Sequence, residues 1–371
     1  MTSSRRFETL DAMRGLAALF VVFRHTTVFG TAAADSHSYL AVDLFFVLSG
    51  FVIAHAYERP LLERTMGFGR FVAVRLIRLY PLLLVSVAFA AAVALTAPPY
   101  DAASASRWDP VSPGAGSILG GSTLALLFLP SHIGGSPLLF PLNTALWSLM
   151  YELAVNVLYA AWGVRRSTRT FAAVVAACGL AVAALVLHRE GMDWGWSWGA
   201  GSILPGLLRA GFGFGAGVLL HRFVAARPAR GAGLQPMPVL ALAMLPLLVP
   251  DLPFGDGWVD VVAVGLVFPV AIVLGASAPP TARLLPVFLM LGAASYPVYV
   301  LHVPALKLME RALGAGGAAG GPLEALHALA GAAFVVALVA CALALDRWYD
   351  RPLRGALTGL LRRRGTLRAA V

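Results

Sequence analysis

Arg14 and His25 stand eleven residues apart in LDAMRGLAALFVVFRHT, inside the first apolar run of the chain. At about 100° per residue, eleven steps return a helix to within about 20° of its starting direction, so a guanidinium and an imidazole share one helix face three turns apart. A charged side chain at lipid depth costs at least about 2.5 kcal/mol, so it persists where protein or water surrounds it and where it serves a purpose. An imidazole in that setting is a proton acceptor or a nucleophile. A guanidinium is a fixed anion clamp.

Few other polar residues fall at membrane depth, and each has a candidate task. Asp43, in VDLFFVLSGF, lies near the outer end of the second apolar run, at a depth similar to His25. A carboxylate accepting from one ring nitrogen would set the tautomer of His25 and free the other nitrogen as a base. The competing reading is a buried ion pair or a capped histidine with no catalytic duty. Arg75 and Arg78, in RLIRLYP, are three residues apart on one face at the inner end of the third run, where two fork-shaped guanidiniums suit phosphates. Glu152, in NTALWSLMYELAVN with Trp147 and Ser148, is either a second proton acceptor or the salt partner of an arginine. Arg209 precedes GFGFGAG, whose alternating glycines permit close helix packing; no strand precedes them and no Lys/Ser follows, so they are not a phosphate loop. His302, in SYPVYVLHVP, either bridges helices or reacts. Trp194, Trp196 and Trp198 alternate in DWGWSWG, which fits a headgroup belt first and a sugar-stacking platform second.

The elements that must position these groups are set by composition. The 371 residues are 59% hydrophobic and 12% charged, with a mean hydropathy of +0.80. That composition defines an all-α polytopic membrane protein. Ten apolar spans are expected near residues 10–30, 39–57, 79–97, 143–163, 170–187, 203–221, 236–250, 258–275, 284–306 and 325–346. The seventh is short and carries Pro246, and the stretch 117–130 is better read as re-entrant or interfacial. With the N-terminus inside, twenty-one of the 28 Lys and Arg residues lie on the cytoplasmic side and four outside, which puts both termini in the cytoplasm. The net charge of +10 is therefore a topological signal, and no nucleic-acid partner is expected. Glu8 interrupts the N-terminal run and no small-residue cleavage site follows, so the first helix is retained. Cys178 and Cys341 fall inside spans and imply neither a disulfide nor a thiolate nucleophile. Residues 1–371 read as one membrane domain with a short basic tail, 347–371. No nucleophile elbow, HExxH, clustered Cys/His spacing or Walker lysine is present, so metal hydrolysis and nucleotide-driven pumping have no support and no metal is expected.

Arg14-x10-His25, FFVLSGF (45–51), RLIRLYP (75–81), LWSLMYE (146–152), LGAASYPVYVLHVP (291–304) and DRP (350–352), in this order, resemble the acyltransferase-3 family of membrane-bound O-acyltransferases. The resemblance implies a ten-span fold in the inner or plasma membrane that takes an acyl group, usually acetyl, from acyl-CoA on the cytoplasmic side. The acyl group passes to a hydroxyl of a carbohydrate, envelope glycan or small molecule, with no tightly bound cofactor. His25 matches the essential histidine and Arg14 its basic partner. Arg75 and Arg78 match the donor-binding pair, and Ser49, Gly50, Trp147 and Glu152 match further motif positions. Expected catalytic residues are thus His25, Arg14, Asp43 and Glu152, and expected donor-binding residues Arg14, Arg75, Arg78, Ser49 and Trp147. Asp350 stands where many members have Glu, and the hydrolase-like extension some members carry is not seen. The rival readings are a transporter or flippase for a sugar-containing substrate, with Arg14, His25, Asp43 and Glu152 along its path, and a non-catalytic scaffold. Self-association, acyl length and the acceptor stay open.

Overall fold

A computed structural model of the chain describes residues 6–26, 36–96, 114–133, 135–199, 202–225, 234–251, 257–313 and 323–368. Among these residues the regular structure is helical, with only two isolated β-bridges, Ser36 to Pro250 and Leu138 to Ser197. Thirteen helices are described: α1 (Glu8–His25), α2 (Ala41–Leu62), α3 (Phe68–Leu95), α4 (Ala115–Leu126), α5 (Leu146–Ala161), α6 (Thr168–Arg189), α7 (Ile203–Ala225), α8 (Pro236–Met244), α9 (Gly257–Val262), α10 (Phe268–Gly275), α11 (Leu285–Leu313), α12 (Leu323–Leu345) and α13 (Arg351–Arg368). A π-helical turn joins α9 to α10 and another joins α12 to α13.

Among the described residues, seven helical stretches are long and apolar enough to cross a membrane: His37–Leu62, Phe68–Leu95, Thr168–Arg189, Ile203–Ala225, Gly257–Gly275, Leu285–Ala312 and Leu329–Arg363. The chain is therefore a multi-pass helical membrane protein. These seven coincide with seven of the expected spans. The other three fall short for identifiable reasons. Helix α1 carries Glu8, Asp11, Arg14 and Arg24 in 18 residues; α5 has 16 residues; and α8 stops at Met244, where the chain tightens into a 3₁₀ turn containing Pro246. The expected interfacial stretch is the 12-residue α4. The expected basic tail is helical over its described part, as α13.

Two helix pairs, α1 with α11 and α2 with α7, make the most extensive contacts. Glycines two residues apart on a helix point about 200° apart, so GFGFGAG serves two neighbours at once. Gly213 and Gly217 face α2, and Gly215 faces Val175 on α6. A Cβ at Gly217 or Gly50 would collide with the backbone carbonyl of Val47 or Phe214, so α2 and α7 touch backbone to backbone. Helix α11 contains Pro297 and Pro304 without ending. Pro304 has no N–H for the carbonyl of Val300 four residues back. Ser86 Oγ on α3 and Asn143 Nδ2 before α5 donate to that carbonyl instead, at 2.7 and 2.8 Å. The bare carbonyl thereby ties α3, α5 and α11 together around the site.

Candidate active site

A cavity of about 160 Å³ opens between α1, α2, α3, α5 and α11. Its polar lining comes from Arg14 on α1, Ser49 on α2, Arg75 and Arg78 on α3, Ser148 and Glu152 on α5, and Ser295, Tyr296 and Tyr299 on α11. Five expected site residues, Arg14, Ser49, Arg75, Arg78 and Glu152, thus meet at one wall. Glu152 Oε1 accepts from Ser49 Oγ at 2.6 Å and from Arg75 Nη2 at 3.2 Å. Of the two tasks open to Glu152, the structure gives it that of salt partner. Helix α3 begins at Phe68, so Arg75 and Arg78 sit about two and three turns inside it rather than at its mouth. Arg78 lies over the Tyr296 ring at 5.3 Å and faces Asp350 at 3.7 Å. Asp350 is itself held by Arg354 at 2.6 Å, so the DRP segment braces Arg78 from behind. Arg14 faces Asp11 at 3.5 Å, a weak contact. Three guanidiniums and one carboxylate line the space itself, with Asp11 and Asp350 behind Arg14 and Arg78, so the surface turned into the cavity is cationic, an environment suited to phosphates.

His25 does not line this cavity. It is the last residue of α1, half-buried, with Nδ1 2.8 Å from the Val21 carbonyl. Its ring packs edge-on against His302 of α11, with centroids 5.0 Å apart. His302 in turn packs on Tyr299 at 5.8 Å, and the Tyr299 hydroxyl shares a 2.5 Å hydrogen bond with Ser148 Oγ. The cavity's Tyr299 wall is therefore the last side chain before the two histidines. Tyr296, Tyr299 and His302 follow one another at steps of three along α11, a ridge whose spacing was available in SYPVYVLHVP.

Asp43 is not the partner of His25. Both its oxygens are taken by Arg209, from Nε at 2.7 Å and Nη2 at 2.6 Å, with both side chains 1% exposed. The close backbone crossing of α2 and α7 puts Arg209 there, so the expected orienting role is corrected to a buried ion pair. Trp147 is likewise absent from the cavity lining; its ring lies 5.5 Å from the Arg209 guanidinium, and that of Trp194 lies 5.7 Å from it. Its expected part in donor binding gives way to a place beside that pair. Arg209 Nη1 also donates to the carbonyls of Met192 and Trp194, both at 2.7 Å, and Asp260 accepts from Met192 N at 2.7 Å and from the Tyr39 hydroxyl at 2.9 Å. Arg24 adds a 2.7 Å pair with Asp193. The loop with the alternating tryptophans is thus pinned to the bundle, and Trp194 is buried rather than set in a headgroup belt. Trp198 stacks on His132 at 3.9 Å.

Helical bundle and arginine-lined cavity together define a multi-pass membrane protein with a polar space between its helices. The acyltransferase-3 profile, described as an acyltransferase domain, matches residues 7–346. The chain belongs to the acyltransferase-3 family and is a membrane acyltransferase. A curated protein of Rhizobium radiobacter, "Protein 2 in picA locus", is 42% identical over 196 residues, covering 49% of this chain and 93% of that protein. No solved structure matches the chain.

Proposed function

We propose that this protein moves an acyl group, acetyl in the simplest case, from cytoplasmic acyl-CoA to a hydroxyl of a carbohydrate, envelope glycan or glycosylated small molecule, at the inner or plasma membrane. The observation that carries this reading is the cationic cavity: Arg14, Arg75 and Arg78 from two helices converge on a space backed by Tyr299 and the two histidines. In this reading the chain spans the bilayer ten times with both termini cytoplasmic. The phosphates of CoA dock on Arg75 and Arg78, and Arg14 holds polar groups of the donor arm. The arm carries the thioester toward Tyr299 and His25.

His25 suits the base. The hydrogen on its Nδ1 is committed to the Val21 carbonyl, so the neutral ring keeps its lone pair on Nε2. That nitrogen takes the proton of the acceptor alcohol as the alcohol oxygen attacks the acyl carbon. Glu152, engaged with Arg75 and Ser49, keeps Arg75 turned into the cavity rather than moving protons. Titration calorimetry of the purified protein with acetyl-CoA, together with mass spectrometry of glycans and metabolites from cells with and without the gene, tests the reading. Binding plus loss of one acetylated species is the expected result, and failure of the protein to bind acetyl-CoA refutes it.

A further inference from the structure

Five hydroxyl side chains, Ser49, Ser148, Ser295, Tyr296 and Tyr299, line the cavity. Three have committed their hydrogen: Ser49 to Glu152 at 2.6 Å, Ser295 to the Gly292 carbonyl at 2.9 Å and Tyr296 to the Leu79 carbonyl at 2.8 Å. Ser148 and Tyr299 remain, with two hydrogens between them. One lies in the 2.5 Å bond joining Ser148 Oγ to Tyr299 Oη, and either oxygen can be its donor. The other has two places to go. With Tyr299 donating to Ser148, the serine hydrogen turns to the Ala145 carbonyl at a long 3.2 Å. With Ser148 donating to Tyr299, the tyrosine hydrogen is released, and no other acceptor for it stands among the described residues. Exchanging these arrangements sacrifices one weak contact, so this is the hydroxyl hydrogen of the cavity that a ligand can recruit at least expense. The setting suits an uncharged acceptor. Phe45 packs edge-on against the Tyr299 ring at 5.4 Å, and Leu149 lines the cavity beside Ser148. Glu152, which holds Arg75, is one turn along α5 from Ser148, and Tyr296, which lies under Arg78, is one turn along α11 from Tyr299. The pair thus stands beyond the guanidiniums, a single donor against apolar walls, which is what a carbonyl bearing a short alkyl group needs.

We propose that the Tyr299 hydroxyl binds the carbonyl oxygen of the acyl thioester and holds the charge that gathers there during transfer. The inference rests on the acyl-CoA reading above. Tyr299 is then a catalytic residue, and Ser148, which turns its own hydrogen to Tyr299 Oη as the thioester arrives, is a positioning residue. Attack by the acceptor oxygen forms the new carbon–oxygen bond and moves the carbonyl electron pair onto the oxygen at Tyr299. A hydrogen bond to that anionic oxygen is stronger than one to the resting carbonyl, so the donor lowers the barrier. When the pair returns, the carbon–sulfur bond breaks and CoA leaves as a thiolate, which takes up the proton the alcohol gave. Tyr299 keeps its own hydrogen throughout. Thioester and alcohol are consumed and nothing else.

Titration calorimetry of the purified full-length protein compares acetyl-CoA with S-ethyl-CoA, the thioether in which a methylene replaces the carbonyl. The wild type is expected to favour acetyl-CoA by about threefold to tenfold, the effect of one neutral hydrogen bond. Tyr299→Phe keeps the ring and is expected to bind both ligands equally, with its affinity for S-ethyl-CoA as in the wild type. Ser148→Ala is expected to keep the preference, because the Tyr299 hydrogen remains. In membranes, labelled acetyl transfer by Tyr299→Phe is expected to fall about a hundredfold, well beyond its loss of affinity. Where the phenylalanine variant does not fold, Tyr299→fluorotyrosine, a stronger donor of nearly the same shape, decides the matter by widening the preference or leaving it unchanged. A wild type that binds the two ligands equally, a phenylalanine variant that keeps the preference, an alanine variant that loses it, a fluorotyrosine variant that leaves it unchanged, or a turnover loss no larger than the loss of affinity each overturn the proposal. A wild type that binds neither ligand overturns the donor reading instead, and one that binds acetyl-CoA but transfers no label in its own membranes overturns the acyl-transfer reading.

Discussion

Asp43→Asn separates two accounts of Asp43, orienter of His25 or partner of Arg209, because the magnitudes differ. The guanidinium is held by Oδ1 at 2.7 Å and Oδ2 at 2.6 Å with both side chains 1% exposed, so asparagine leaves a buried cation uncompensated. Breaking a buried pair from one side costs about 3–5 kcal/mol. Arg209 keeps the carbonyls of Met192 and Trp194, which puts Asp43→Asn near the lower end, about 3 kcal/mol, or roughly a hundredfold in the unfolding equilibrium. Arg209→Met strands the carboxylate and removes the donor from both carbonyls, so it belongs at the upper end, about 5 kcal/mol. The double variant no longer contains a lone charge and is expected to cost no more than Arg209→Met alone, where independent sites would sum to about 8 kcal/mol. Unfolding in mixed detergent micelles followed by tryptophan fluorescence reads all three. Additive losses, or a cost for Asp43→Asn under about 1 kcal/mol, refute the pairing argument.

Three further outcomes follow from the same geometry. His25→Ala is expected to abolish labelled acyl transfer while expression and acetyl-CoA binding persist, since the ring sits outside the cavity; retained turnover in a membrane assay removes its assignment. Arg75→Ala and Arg78→Ala are each expected to weaken acetyl-CoA binding by about 1.5–3 kcal/mol, the worth of a charge-assisted hydrogen bond, with isothermal titration as the measurement. Gly50→Ala, whose new methyl meets the Phe214 carbonyl, is expected to destabilise the bundle by about 1–3 kcal/mol, whereas Gly355→Ala on α13, with open space around it, changes stability by about 1 kcal/mol or less; thermal melts compare the two.

Helix periodicity made one part of the site legible before any coordinates. The eleven-residue spacing put Arg14 and His25 on one face, and α1 runs unbroken between them. The arginine pair of RLIRLYP and the motifs around Ser49 and Glu152 lie on three different helices that line the cavity. What periodicity reports is the face and depth of a residue on its own helix. It does not report which helix lies opposite, and the corrections at Asp43 and Trp147 arise there. Asp43 and His25 share a depth, but the glycine contact between α2 and α7 delivers Arg209, 166 residues away, to the carboxylate. The same crossing assigns Trp147 and Trp194 to that guanidinium. The span count rests on a second ambiguity, because α5 and α8 are as apolar as the long helices but stop early.

The two helices that line the cavity with Arg14 and with Tyr296 and Tyr299 also carry the histidines. Helix α1 holds Arg14 and His25, and α11 holds Tyr296, Tyr299 and His302. At the Arg14 end the two are in direct contact: a Cβ at Gly15 would run into Leu291, and one at Gly292 would meet the side chain of Asp11. Packed helices shift in steps rather than by continuous deformation, and one turn is about 5.4 Å. The contact at Gly15 and Gly292 therefore sets the register of α1 on α11, and a step of one turn there would break the 5.0 Å approach of His25 to His302. The cavity and the two histidine rings are held in fixed relation by one interface. The side chain between them, Tyr299, is anchored to α5 through Ser148, so the wall that separates the cavity from the two rings is fixed to a third helix.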